Sequence, residues 1–246
     1  MHPSLFDFGQ VRVPLLGEVH LALPTYGLLF AAGALIAWQW FMRRARTLDV
    51  PEETAFNLCF YTILAGILGA KVALIAVDFR LYIADPALLL GTLRAAGVLM
   101  GGVIAGGIVF FLYGRRQGLP MLRIADAMVA PVALAQAIGR LGCFAAGCCY
   151  GVPLDPGNPL AITFTDPVAS AQTGVPLHVP LAPTQLLQAA NDLVLAIVLT
   201  ILWRRKLAPG STLAAYLVLY GLGRGLVEFW RGDVQRGLFF GGVVST

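Results

Sequence analysis

Residues 21–46 read LALPTYGLLFAAGALIAWQWFMRRAR. A predominantly apolar run of about twenty residues is what a helix needs to cross the hydrocarbon core of a bilayer. Here that run, Leu21 to Phe41, leads into Arg43, Arg44 and Arg46. The whole chain supports the same reading. Of its 246 residues, 58% are hydrophobic and only 12% are charged, whereas soluble domains carry about 25% charged residues. The protein reads as integral to a membrane. Met1 to Gly17 lacks a basic region followed by an apolar one, so no cleaved signal peptide is expected.

Five more spans follow. They are Ala55 to Val77 (after the cap-like Pro51-Glu52-Glu53-Thr54), Ala96 to Tyr113, Met121 into a cysteine-rich stretch, Thr184 to Trp203, and Thr212 to Trp230. Phe79 to Arg94 is a connection, with a short interfacial helix expected over Ala87 to Leu93. Val152 to Pro183 holds seven prolines; it is too polar for lipid and long enough to fold as a small cap. The tail, Arg231 to Thr246, ends on a glycine-rich apolar fragment, Gly237 to Val244. The net charge of +4 gains meaning from its location. Arg43/Arg44/Arg46, Arg115/Arg116 and Arg204/Arg205/Lys206 follow the first, third and fifth spans, so all belong on the cytoplasmic side and the cap faces outward. The expectation is an all-α integral membrane protein: a bundle of six to seven transmembrane helices in one polytopic domain, 1–246, with a small periplasmic cap at 152–183.

Candidate chemistry concentrates in Gly139-Arg140-Leu141-Gly142-Cys143-Phe144-Ala145-Ala146-Gly147-Cys148-Cys149-Tyr150-Gly151. An arginine inside a membrane is costly and needs a partner such as a carboxylate or a lipid phosphate, unless it snorkels to the interface. Tyr220, Arg224, Glu228 and Arg231 are spaced 4, 4 and 3 apart and form one helical stripe. Glu228 can pair Arg224 and Arg231, which leaves Arg140 and Lys71 wanting an anion. A phosphate from a lipid head group suits them, because the planar guanidinium grips phosphate in two bonds. An internal salt-bridge network is the simpler account of Glu228 with Arg231. Gly97/Gly101 and Gly102/Gly106 are small-xxx-small pairs, for which close helix packing is the first reading and approach of a lipid glycerol the second. Tyr26 fits an interfacial aromatic belt, Asp126 a pair with Arg123, and His178 a solvated loop. Asn191 and Asp192 belong to no recognised motif.

Cys143, Cys148 and Cys149 make a C-x4-C-C cluster; Cys59 stands apart. Such thiols serve as structural groups or a Cys143–Cys148 disulfide, as nucleophiles, or as ligands of a soft metal. Metal sites usually show paired CxxC or histidine partners. Neither is present, so the metal reading ranks last and no metal or other cofactor is expected.

These stretches resemble bacterial prolipoprotein diacylglyceryl transferases. The matching pieces are Tyr26-Gly27, the Gly69-Ala70-Lys71 region, Gly101-Gly102, Asp126 with Ala130-Pro131, Gly139-Arg140-Leu141-Gly142 through Gly151, Pro183-Thr184-Gln185-Leu186, and Tyr220-Gly221 through Arg224 to Val227-Glu228-Phe229. They run in the family's order over nearly the whole chain. The resemblance implies a seven-helix inner-membrane enzyme of lipoprotein biosynthesis, its site toward the periplasm. That enzyme moves the diacylglyceryl group of phosphatidylglycerol to a prelipoprotein cysteine, releasing glycerol phosphate. It implies Arg140 and Arg224 as the phosphate grip and Tyr26 as an orienting group. Cys143 and Cys148 join them as catalytic candidates. Lys71, Met100, Gly101, Gly102, Gly142, Gly151 and Glu228 are the substrate-binding candidates. The partners expected are phosphatidylglycerol, a prelipoprotein or other thiol acceptor, and the bilayer, with no nucleic acid.

The departures fall on proton-transfer positions. Met100 stands where the family has histidine, Cys143 where it usually has asparagine, Cys148 where a glutamate aligns, Lys71 where arginine is favoured, and Gln188 where a glutamate is usual. The seventh helix would begin where the sequence stops, at Thr246. Three readings stay open: a transferase using another base or none, a diverged paralogue that uses the cysteines on another acceptor or in thiol redox, and a lipid-binding protein without turnover.

Overall fold

The computed structural model describes residues 4–13, 17–85, 89, 92, 97–232, 238–239 and 244–245. Among these, eight helices are present: α1 (Thr25–Arg46), α2 (Glu52–Val77), α3 (Phe79–Ala84), α4 (Leu99–Arg116), α5 (Met121–Ala146), α6 (Pro167–Thr173), α7 (Thr184–Arg204) and α8 (Ser211–Glu228). Five of them, α1, α2, α4, α5 and α7, are long and apolar enough to cross a membrane. α8, the sixth expected span, is an 18-residue helix outside those five that carries Arg224 and Glu228. The helical membrane class is as the sequence indicated, and the protein is multi-pass. Of the interfacial helix expected over Ala87 to Leu93, only Leu89 and Thr92 are described. Most of the glycine-rich tail also lies outside the described residues.

At the N-terminus, β1 (Ser4–Val13) pairs antiparallel with β2 (Gly17–Pro24), Val11 opposite Val19 and Val13 opposite Gly17. α1 consequently starts at Thr25 rather than Leu21, because a residue before proline is driven out of the helical region and Leu23 precedes Pro24. At its other end α1 runs on to Arg46 rather than stopping at Phe41. Arginines in a last turn favour the helix dipole. Arg44 is buried there, its guanidinium over the Trp40 ring, 4.7 Å to the centroid, and donating to the Ala127 carbonyl at 3.3 Å.

Two compact units result: residues 1–37 with 128–246, and residues 38–127. In the second unit α2 and α4 pack backbone to backbone through glycines. A Cβ on Gly69 would lie 2.6 Å from the Gly101 carbonyl oxygen, one on Gly101 2.7 Å from that of Gly69, and one on Gly102 2.8 Å from that of Gly66. Gly97, at φ +84, turns the chain into α4, and the Val98 N–H donates to the Ala70 carbonyl at 3.0 Å. The packing reading of this glycine surface is therefore the one realised at Gly101 and Gly102.

In the first unit, α1 and α5 meet through Gly33, beside Ala135, and Gly142, whose Cβ would touch the Tyr26 ring at 3.2 Å. The 152–183 segment packs Phe164, Ala169, Val175 and Leu181 into an apolar core together with Tyr150 just before it, with Ile162 and Val179 against it. Its short strands β3 (Ile162–Thr163) and β4 (Pro180–Leu181) pair antiparallel. α6 is capped by Asp166 Oδ1, which accepts from the Val168 and Ala169 N–H groups, and ends on left-handed Gly174. Gly151 is a crossing point: its N–H donates to the Ala182 carbonyl at 3.1 Å, and a Cβ there would lie 2.6 Å from the Trp230 oxygen.

Gly101→Val is expected to destabilise the second unit by about 1–3 kcal/mol, the usual cost of overpacking. Gly107→Ala, with no atom within 4 Å of its added Cβ, is expected to leave stability unchanged. Thermal unfolding in detergent compares the two, and equal melting temperatures would refute the glycine contact.

Candidate functional site

α5 delivers the cysteine loop. Its helix stops at Ala146, and two left-handed residues, Gly147 (φ 78) and Cys149 (φ 61), fold the chain back on itself. That conformation is unfavourable for a cysteine, and the first turn of α7 holds it. Thr184 Oγ1 donates to the Cys149 carbonyl at 2.7 Å, and Gln185 Nε2 donates to the Cys148 carbonyl at 2.8 Å. Both side chains are buried. As a result Cys143, Cys148 and Cys149, all free thiols, place their sulfurs within 4.8 Å of one another. Hydrogen bonds from Cys143 and Cys148 push the Cys149 thiol well below the ordinary thiol range; burial opposes this, and the Arg231 and Arg140 charges assist it. The hydrogen bond with Cys143, then that with Cys149, and then burial push Cys148 up.

Arg140 sits one turn before Cys143 on α5. Among the described residues it has no hydrogen bond or ion pair, yet its charge reaches Tyr26, Cys143 and Cys149. The Tyr26 hydroxyl lies within electrostatic range of all three cysteines. Tyr26, Arg140 and the thiols therefore form one cluster.

α7 supplies the counter-charge. Gln185, Gln188 and Asp192 line one buried face of this helix. Gln188 Nε2 donates to Asp192 Oδ1 at 2.7 Å, and Asn191 Nδ2 to the same oxygen at 3.2 Å. Asp192 Oδ2 has no hydrogen-bond partner. The charges of Arg140 on α5 and Arg224 on α8 both reach Asp192, without a hydrogen bond to it. Arg224 also pairs with Glu228, four residues on. That contact is a charge pair rather than an aligned hydrogen bond, since Arg224 Nη1 has no acceptor in line. Gly223 lets α8 close on α7, for a Cβ there would lie 2.6 Å from Asn191 Nδ2.

Of the remaining candidates, Gly142 serves the Tyr26 contact and Gly151 the crossing of three segments. Lys71, Met100, Gly101 and Gly102 all lie in the second unit. Lys71 Nζ donates to the Thr92 carbonyl at 2.6 Å, and Met100 is 65% exposed. The sequence reading passed over Asp192. Its signal was available as the polar stripe Gln185, Gln188, Asp192 on an otherwise apolar helix, at spacings that share a face.

Asp192→Ala is expected to leave the buried Gln188 amide without its acceptor and cost about 1–3 kcal/mol. Thermal unfolding in detergent measures it, and a variant as stable as wild type would contradict this arrangement.

The sequence pattern of the family described as Prolipoprotein diacylglyceryl transferase matches residues 14–246. The phosphatidylglycerol–prolipoprotein diacylglyceryl transferase of Clostridium tetani is 36% identical over 222 residues, 89% of this chain and 86% of that protein. The enzyme numbered 2 from Clostridium perfringens is 31% identical over 94% of this chain and 87% of its own length. That of Ruegeria pomeroyi is 31% identical, over 94% and 80%. With the match spanning nearly the whole chain, this protein belongs to the prolipoprotein diacylglyceryl transferase family.

Proposed function

We propose that this chain is a transferase that moves the diacylglyceryl group of phosphatidylglycerol to the cysteine thiol of a prelipoprotein. The observation that carries the reading is Arg140, which among the described residues has no hydrogen bond or ion pair and lies within electrostatic range of Tyr26 and the cysteine loop. A guanidinium in a membrane protein without a carboxylate of its own is short of an anion, and a phosphodiester head group supplies it. In the reaction the acceptor sulfur attacks the glycerol carbon that bears the phosphate ester. The C–S bond forms and the C–O bond breaks. The electron pair leaves on glycerol phosphate, which gains a negative charge and ultimately the thiol's proton. Arg140 and Arg224 stabilise that developing charge, and Tyr26 orients the head group or the thiol.

The three basic clusters after α1, α4 and α7 support an orientation with those ends in the cytoplasm. We place the protein in a bacterial inner membrane on that basis, with the cap at 152–183, the cysteine loop and the arginines toward the periplasmic side of a single polytopic domain.

The convergence of the thiols favours a second reading, in which one of them takes the lipid group before passing it on. Incubating the purified protein with phosphatidylglycerol and a lipobox peptide, followed by mass spectrometry, separates the cases. The first reading expects lipidated peptide and unmodified protein; the second expects a diacylglyceryl adduct on Cys143, Cys148 or Cys149. Lipid binding with neither product would leave a binding protein only.

Arg140→Ala and Arg224→Ala are expected to lower transfer by about 10²–10³-fold or more while the protein still inserts and folds. Arg140→Lys should recover only part, because a point charge replaces a fork. Wild-type rates in both alanine variants would sink the assignment.

A further inference from the structure

We propose that Cys143, Cys148 and Cys149 form a trithiolate site for a zinc ion whose fourth position is open to the acceptor thiol. The inference rests on the transferase reading for its role and on geometry for its existence. A disulfide needs two sulfurs; here three converge within 4.8 Å. The sulfurs of a tetrahedral zinc thiolate stand about 3.8 Å apart, given a Zn–S bond of about 2.3 Å, so closing the trio takes a shift of an ångström or less. The chain spends strain to bring the third sulfur in: Cys149 sits at φ 61, and buried Thr184 and Gln185 hold the carbonyls of Cys149 and Cys148. All three cysteines are half-buried rather than sealed, and among the described residues no fourth His, Cys, Asp or Glu joins them. Three protein ligands and a vacant fourth position are the signature of catalytic rather than structural zinc.

Charge agrees with this. Zinc on three thiolates carries one net negative charge, and among the described residues the charges of Arg140 and Arg231 reach Cys149. The Tyr26 hydroxyl is also within electrostatic range of the trio. From the sequence a metal ranked last, because C-x4-C-C resembles no paired metal motif; the left-handed turn is what makes it tridentate.

Zinc lowers the pKa of a bound thiol and holds it as a thiolate. The acceptor R–SH would bind at the fourth position and release its proton to solvent. Its sulfur would then form the C–S bond as the C–O bond to phosphate breaks, the electron pair departing on glycerol phosphate beside Arg140. No redox change occurs. Such an ion supplies the thiolate that a base would otherwise generate, in a chain whose residue 100 is methionine.

The test is the metal content of the full-length protein purified under reducing conditions, with Cys59→Ser as the control for an unrelated thiol. We expect about one zinc per chain in wild type and in Cys59→Ser, and loss of most of it in Cys143→Ser, Cys148→Ser and Cys149→Ser. Cobalt(II) exchanged into the site should show intense thiolate charge-transfer absorption that shifts when a lipobox peptide is added. Zinc content equal in wild type and the three serine variants, or an intact mass showing a stable disulfide in the reduced preparation, overturns the site. Unchanged transfer after the zinc is chelated away overturns its catalytic role and leaves the transferase reading standing. Zinc bound with no lipidated peptide does the reverse, keeping the site and removing the transferase.

Discussion

Positive charge inside an apolar protein is the constraint around which the first unit is built. Arg224 pairs with Glu228 on its own helix, while Arg140, among the described residues, has no hydrogen bond or ion pair. Burying a guanidinium is tolerable only when something anionic meets it. The charges of both arginines reach Asp192 on α7, whose carboxylate is oriented by Gln188 and Asn191. Arg140 is thus the cation with room for an anionic ligand.

The same helix organises the thiols. Its first turn grips the two carbonyls of the cysteine loop, while its middle carries Asp192. One rigid element thus fixes both the electrostatic half of the site and its sulfur half. Fixing both on one helix makes their separation insensitive to motion of the loops, which is what preorganised catalysis requires.

Glycine does different work in the two units. In α2 and α4 it removes side chains so that backbones touch, with Gly69 and Gly101 each against the other's carbonyl. Near the site it allows approach: Gly142 under Tyr26, Gly223 under Asn191, Gly151 between Ala182 and Trp230. At each of these positions the missing side chain lets a neighbouring residue close in.

The amino-acid sequence by itself determined the membrane class, five of the spans, the basic ends and the arginines, because hydropathy and charge act locally and leave their record residue by residue. It also carried the family resemblance through Gly139 to Gly151 and Arg224 to Glu228. It did not disclose the N-terminal hairpin, because no turn motif in residues 4–24 marks the pairing of β1 with β2. Asp192 stayed obscure because a lone carboxylate on a span belongs to no motif until its burial and its amide partners are seen. The convergence of the cysteines was decided by two left-handed residues and by Thr184 and Gln185, some 35 positions on in the chain. Spacing records which residues are neighbours along the chain, and only the folded backbone decides which meet across it.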